Sequence, residues 1–444
     1  MSEQLTALWE RYGRLTLDEV PAEARTAARL CILDWLGVTL AGSTEPLATI
    51  LRAEFAHEHG PVTVIGSSQR VPAMAAALIN GATGHALDFD DTNLFGGHHA
   101  TTALLPAALA LAEQTGVSGA DLLTAYIAGV EVTARMRVVI GDEHYRQGWH
   151  ITSTLGVYGA VAAAGWLMKL DSDQFGRAVG LATSQVGGVH ANFGTMTKPF
   201  HAGFAAERGL LSAGLARRGF TANPDAFERA FAQMSGAIDW SRIAERGDEW
   251  AVTDTLIKRF VSGHGTQATI LASHALLDRG LTADDVVHAE VRTGESVPRS
   301  AYGVRVPRDG LESKFSLPGV CALVLLGHDL TGPASYSDEN VTSPAFVDLI
   351  RRIDLVGDPR FTLGTGEIVV ETRTGTITQP LPHTRDSGTV ESRVEHVNQK
   401  FRALATPVIG ADSAKRLRDM VLDLAALPSV EDLCDLTRTT EPRT

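Results

Sequence analysis

The sequence predicts a mainly α protein, a large all-helical domain with a smaller α+β lid domain inserted into it. Three observations predict this. From about residue 20 to about 260 apolar residues recur at helical spacing; after about 280 the period shortens to that of strands; from about 394 helical spacing returns. Aromatic residues make up only 6% of the chain while Ala and Gly are plentiful, which favours closely packed helices over a β-sandwich.

The elements follow in order. Ser118-Gly119-Ala120-Asp121 has capping-box spacing, and Leu122, Leu123, Tyr126, Ile127, Val130 and Ala134 mark one face of the helix behind it. Gly159 to Met168, rich in Ala and Gly, suits a central helix with close neighbours. Asp171 and Gln174 repeat the cap before Phe175, Val179 and Ala182. Val287, Ala289, Val291 and Thr293 then alternate with polar residues, the period of a half-buried strand. Ser343-Pro344 is an N-cap followed by proline in the first turn, and Glu367 to Thr378 reads as a hairpin about Thr374-Gly375. Gly- and Pro-containing sequence from Pro380 to Gly388 leads back to helix. At roughly 100–200 residues per domain, 444 residues allow two to four domains. The expected partition is a discontinuous helical domain, 1–264 with 394–444, and an α+β lid, 265–393.

A formal net charge of −13 with no basic stripe excludes nucleic acid as a partner. No apolar run approaches the length needed to span a bilayer, and the N-terminal residues lack the basic and apolar regions of a signal peptide. Cys31, Cys321 and Cys434 are far apart and odd in number, which fits neither a disulfide framework nor a metal site and points to a reducing cytoplasm.

Chemistry concentrates in three segments. In His85-Ala86-Leu87-Asp88-Phe89-Asp90-Asp91-Thr92, three carboxylates in four residues repel one another unless cations sit nearby. Alone, such a run reads as an acidic helix end facing solvent. Gly96-Gly97-His98-His99 weakens that reading, because glycine lets backbone approach a ligand and histidine titrates near neutrality. A metal must be weighed, since Asp90-Asp91 has the look of the acidic motif with which helical terpenoid synthases hold magnesium. Leu94 stands where that motif needs another acid, and no second acidic helix motif follows, so no metal is expected. In the second segment, Lys198 precedes Pro199 and is therefore biased to extended backbone, placing it on a turn rather than a helix face. The third, Lys258 to Gln267 with His264, lies at the domain junction, a usual place for a cleft; its bland alternative is a basic linker. Seven of the 15 histidines fall between His85 and His201.

At these residues the chain resembles the MmgE/PrpD family, which includes 2-methylcitrate dehydratase, cis-aconitate decarboxylase and iminodisuccinate epimerase. The resemblance runs through Asp34-Trp35-Leu36-Gly37, the His85 to Thr92 block, Gly148 to Ser153, Lys198-Pro199-Phe200-His201-Ala202-Gly203, Lys258-Arg259-Phe260 and Lys314 to Pro318. It implies an active site between a helical domain and a lid, a small polycarboxylate substrate, no cofactor and a homodimer. By motif match the catalytic set is Asp88, Thr92, His99, Lys198 and Lys258, with His98, His150, His201 and His264 binding substrate. Three departures touch the pocket. His99-Ala100-Thr101, preceded by an extra His98, replaces the family's His-Pro-Ser; Val261 holds a usual proline position; His264 is one residue off the decarboxylase spacing. Counting back from Leu105-Pro106 makes His99 the equivalent histidine, with His98 the alternative.

The reactions of that family share one difficulty: a proton moves at a carbon beside a carboxylate, and negative charge builds on the oxygens. Without a metal, preorganised cations and donors must stabilise it. Lys198 and Lys258 are the candidate clamps, Thr92 a donor, His99 the proton carrier and Asp88 its orienting partner or a ligand of a substrate hydroxyl. Dehydration of a 2-methylcitrate-like acid is the first choice, with decarboxylation or epimerisation next. A non-catalytic carboxylate-binding relative is the alternative from another class, and the joint presence of Asp88, Thr92, Lys198 and Lys258 argues against it.

Overall fold

The structure, a computed structural model, describes residues 1–383 and 389–439. Most of the Pro380 to Gly388 return therefore lies outside the described residues. Two buried apolar clusters organise the rest. The larger centres on Trp35, Tyr126, Tyr158 and Phe175 and takes Val397, Phe401 and Leu417 from the C-terminal helices Val390–Ile409 and Ala411–Leu422. The smaller holds Ile270, Val291, Cys321, Phe346 and Ile368, and borrows Val38, Leu87 and Phe89 from the helical part. On this packing we propose the same partition as the sequence, 1–264 with 394–444 against 265–393. Two-residue antiparallel strand pairs add to the helical part, one of them joining Thr92–Asn93 to Thr255–Leu256.

The caps explain where helices begin. Ser118 accepts from the Asp121 amide ahead of helix Gly119–Ile140, and both arms of the Asp171–Gln174 box are made ahead of Ser172–Thr183. Helix Gly156–Met168 is central, packed against Ala100–Thr115, Gly119–Ile140 and Thr197–Arg217. It also corrects an expectation. Ile151–Met168 is 18 residues long and apolar enough, by length and composition, to cross a membrane, yet 83% of it is buried inside the protein. A helix apolar all round is what a core surrounded by other helices requires.

Lys198 is a second correction. It lies in the first turn of helix Thr197–Arg217, not in extended backbone. The amides of a first turn have no intrahelical acceptor, so Pro199 costs no hydrogen bond there. That helix crosses Ala73–His85 at glycine: a Cβ on Gly203 would come within 2.1 Å of the Leu78 carbonyl oxygen, and one on Gly81 within 2.8 Å of the Gly203 Cα. The close crossing brings the end of one helix, His85, beside the start of the other, Lys198.

In the α+β part a four-stranded sheet runs in the order Ile353–Asp358, His288–Gly294, Glu367–Thr372, Gly375–Pro380. The first pair is parallel and the others antiparallel, with Val291 opposite both Leu355 and Ile368. Ala289, Val291 and Thr293 face inward as their alternation requires, but Val287 precedes the strand and is exposed. The hairpin turns on Arg373-Thr374, one residue before the expected centre, and pairs Thr372 with Gly375. Helices Gln267–Asp278 and Leu317–Leu325 pack with the sheet, and Ser343 caps Pro344–Ile350 as expected.

Candidate active site

Helix Ala73–His85 runs out at the acidic block, and its end is held by lysines from four distant parts of the chain. Lys258 donates to both the Asp88 carbonyl and Oδ1 at 2.8 Å. Lys198 pairs with Asp88 Oδ2 at 3.0 Å. Lys314 donates to the Leu87 carbonyl at 3.2 Å, and Lys400 to the Phe89 carbonyl at 2.8 Å and the Lys258 carbonyl at 3.1 Å. Lys400 also pairs with Asp34 at 2.7 Å and lies 3.7 Å from the centre of the Phe89 ring. Carbonyls just past a helix end lack helical donors and sit at the negative end of its dipole, so ammonium groups suit them. The backbone follows: Asp88 has φ +52°, a left-handed conformation uncommon outside glycine, held by the lysine contacts on its carbonyl and carboxylate.

The acidic block is buried, so the solvent-facing reading fails for Asp88, Asp90 and Asp91 alike. Burial pushes Asp88 up, but Lys198 and Lys258 overcome it and hold the carboxyl well below the usual range. Asp90 is likewise held low against burial by His85 and His99. Asp91 has no such cation; burial lifts it to about 7, opposed by the hydrogen bond from Thr101.

The tautomer of His99 follows from its partners. Its Nδ1 lies 2.7 Å from the Asp91 carbonyl oxygen and 3.3 Å from Asp90 Oδ2, both acceptors, so Nδ1 carries a hydrogen. In the neutral ring Nε2 is then the basic nitrogen. Its backbone amide donates to Thr152 Oγ1 at 3.3 Å, which ties the Gly148 to Ser153 motif to the site. His85 donates from Nδ1 to Asp90 Oδ1 at 2.8 Å, and burial lowers it to about 4.

A cleft of about 470 Å³ opens on this cluster. Thr92, His98, His99, His150, Lys198 and His264 line it from the helical part and the junction, and Ser296, Ser300, Tyr302 and Leu363 close it from the α+β part. Thr92 Oγ1 and His264 Nδ1 are buried with no hydrogen-bond partner, as groups awaiting a ligand would be. Phe193 and Phe315 place their rings 5.5 and 5.0 Å from the Lys198 ammonium.

Three expected residues lie behind the cleft wall rather than on it. Asp88 lies between Lys198 and Lys258, Lys258 also donates to the Asp88 carbonyl, and His201 meets His150 Nδ1 to Nδ1 at 3.0 Å. His98 lines the cleft, but its Nε2 faces Thr133 Oγ1 at 3.4 Å. Burial lowers His98 to about 3 and His201 and His264 to about 4, and puts His150 well below its ordinary value. Lys314, Lys400 and Asp34 have no place in the sequence-derived set. Lys314 and Asp34 fall within matched motifs; nothing local marks Lys400.

His85, Asp88, Asp90 and His99 bring potential ligand atoms within 4.8 Å of one another, a metal-like quartet. Those atoms are engaged: both Asp88 oxygens meet ammonium groups, and both imidazole Nδ1 hydrogens point to acceptors. A divalent cation here would have to displace Lys198 and Lys258. The donor set reads as ion-paired, not as an open coordination site.

Comparison with known proteins identifies the family. The MmgE/PrpD N-terminal domain matches residues 8–243 and the MmgE/PrpD C-terminal domain residues 260–426. The cis-aconitate decarboxylase of Aspergillus terreus is 26% identical over 469 residues, covering 96% of this chain and 94% of that protein. A cis-aconitate decarboxylase-like protein of Aspergillus oryzae is 28% identical, covering 94% of each. The human cis-aconitate decarboxylase is 28% identical over 436 residues, covering 93% and 89%. With both domains matched nearly end to end, this chain belongs to the MmgE/PrpD family and is a lyase.

Proposed function

We propose that this lyase decarboxylates a small unsaturated tricarboxylate of the cis-aconitate kind. The carrying observation is the cleft itself: Lys198 and the unpartnered Thr92 hydroxyl stand beside His99, whose Nδ1 is fixed as a donor and whose Nε2 is the exchangeable position. A cavity of about 470 Å³ suits a small polycarboxylate. Lys198 and Thr92 bind substrate carboxylate, and Asp88 with Lys258 positions Lys198. The bond to the departing carboxylate breaks as CO₂ leaves. Its electron pair spreads through the adjacent double bond into a remaining carboxylate, and His99, having taken up a solvent proton at Nε2, passes that proton to the carbon and returns to the neutral ring. Dehydration of a 2-methylcitrate-like acid, the first choice on sequence alone, uses the same clamps. The names of the compared relatives support preferring decarboxylation to it. We further propose a cytoplasmic homodimer associating through the helical domain; light scattering at the mass of one chain counts against it.

The test is incubation with cis-aconitate and with 2-methylcitrate in D₂O, followed by proton NMR and CO₂ release. CO₂ with one deuterium at the carbon beside a carboxylate is expected, abolished in His99→Gln and retained in His98→Gln. Water loss from the hydroxy acid without CO₂ release moves the chain to dehydration. Loss in His98→Gln alone transfers the proton to that histidine.

A further inference from the structure

A second cavity, of about 560 Å³, adjoins the active-site cleft at the Leu94–Gly97 loop, and the mechanism above makes no use of it. Arg137, Arg242 and Arg246 line it with Asp142, and Arg242 also pairs with Asp239 at 3.5 Å. Three guanidinium groups around one cavity are conspicuous in a chain of net charge −13. Arg137 is buried, at 8% exposure; it donates to the Gly141 carbonyl at 2.7 Å and to Asp142 Oδ1 at 2.8 Å, and its Nε is left buried with no partner. A buried guanidinium N–H without an acceptor is costly. Arg246 stacks 4.8 Å above the Phe95 ring, and the Arg242 guanidinium lies over Gly141, where a Cβ would meet it at 2.1 Å. Gly141 also has φ +73°, so glycine serves this corner twice.

We propose that this cavity is a second anion site, taking a small multiply charged oxyanion, inorganic phosphate or a polycarboxylate, on Arg137, Arg242 and Arg246. The site goes beyond the proposed reaction, because Lys198, His99 and Thr92 do not line it. It also touches that reaction's machinery. Leu94, Gly97, Arg137 and Asp142 line both cavities, and the shared loop is fastened to His98 by the Asn93 amide donating to the His98 carbonyl at 2.9 Å. An anion held there bears on the segment that carries His99.

Isothermal titration of the full chain with inorganic phosphate, and separately with citrate, tests this without reference to turnover. Titrations are run in wild type and in Lys198→Ala, which disables the main cleft. At least one anion is expected to bind in both backgrounds. Adding Arg242→Ala with Arg246→Ala weakens that binding by about tenfold or more, the loss of charge-assisted hydrogen bonds. Binding of phosphate alone or citrate alone identifies the source of the oxyanion. Both arginines are partly exposed, so an unchanged melting midpoint is expected; should the pair of alanines melt early, Arg242→Lys with Arg246→Lys decides, expected to weaken binding less with the fold intact. No binding of either anion in Lys198→Ala, or equal binding after removal of both arginines, overturns the proposal.

Discussion

Lys258 and Asp88 meet at 2.8 Å with 0% and 4% of their side chains exposed; Arg360 and Asp358 meet at 2.7 Å beside the sheet, where 61% of the arginine side chain is exposed. The distances are alike and the physics is not. In the helical part, charges have left water and are held only by one another, so each lysine lost strands a carboxylate or a carbonyl. At the sheet, water solvates both partners and screens them, and the pair adds little. Contact lists would rank these regions equally. Burial is what separates a preorganised site from a solvated surface.

Removing one member of the buried set should give the largest stability effect. Lys258→Ala is expected to cost about 3–5 kcal/mol in urea unfolding, because Asp88 stays buried with half its pairing. Asp88→Asn combined with Lys258→Met should cost less than the sum of the single changes. A cost for Lys258→Ala no larger than for a surface lysine would erase the contrast. Next in size, Lys198→Ala should lower kcat/KM by about 10²-fold with the fold retained, the effect of losing one preorganised charge. Lys198→Arg should rescue poorly, since a planar fork does not replace a compact ammonium. Near-normal turnover in the alanine variant would place this lysine with the surface pairs.

Acid sharpens the comparison further. Burial holds His85, His201 and His264 near 4 and His98 near 3, against about 6.5 for a free imidazole, so the unfolded chain binds protons that the native chain refuses. Their contribution to stability is complete above about 6.5 and is lost as pH falls toward 4. Asp34 and Asp91, lifted by burial to about 6 and 7, work in the opposite direction through that window, so the test is differential: the melting midpoint of His264→Gln should fall less steeply than that of wild type, and parallel profiles would mean that this ring is not held neutral. The smallest effect belongs to Arg360→Ala, expected to leave the melting midpoint of wild type unchanged at moderate salt. A clear shift there would show that the sheet surface is more than solvated charge.

What was legible in the sequence was local. The caps at Ser118 and Asp171, the alternation through Ala289, Val291 and Thr293, and the hairpin before Pro380 are signalled within a few residues, and each is present. The family resemblance also pointed to Thr92, His99, His150, Lys198 and His264, which line one cleft. Lys198 as a helical residue was not legible, because the pre-proline bias says nothing of a first turn whose amides are unbonded anyway. Nor was Lys400, whose partners Asp34, Phe89 and Lys258 are far off in sequence and leave no periodic trace around it. The parallel pairing of His288–Gly294 with Ile353–Asp358 is non-local in the same way.

The reach of Lys400 also sets a timetable. Asp34, Phe89 and Lys258 all leave the ribosome before the residue that neutralises the first and hydrogen-bonds the other two. At about 5–20 residues per second, the roughly 310 residues from Phe89 to Lys400 take about 15–60 s to synthesise. Through that interval the acidic block has lost water-facing options only if it folds early, and lacks one of its cations if it does. Completion of the acidic end of helix Ala73–His85 therefore waits for helix Val390–Ile409, and a chain released before residue 390 would carry Asp88, His99 and Lys198 without the clamp that finishes their setting.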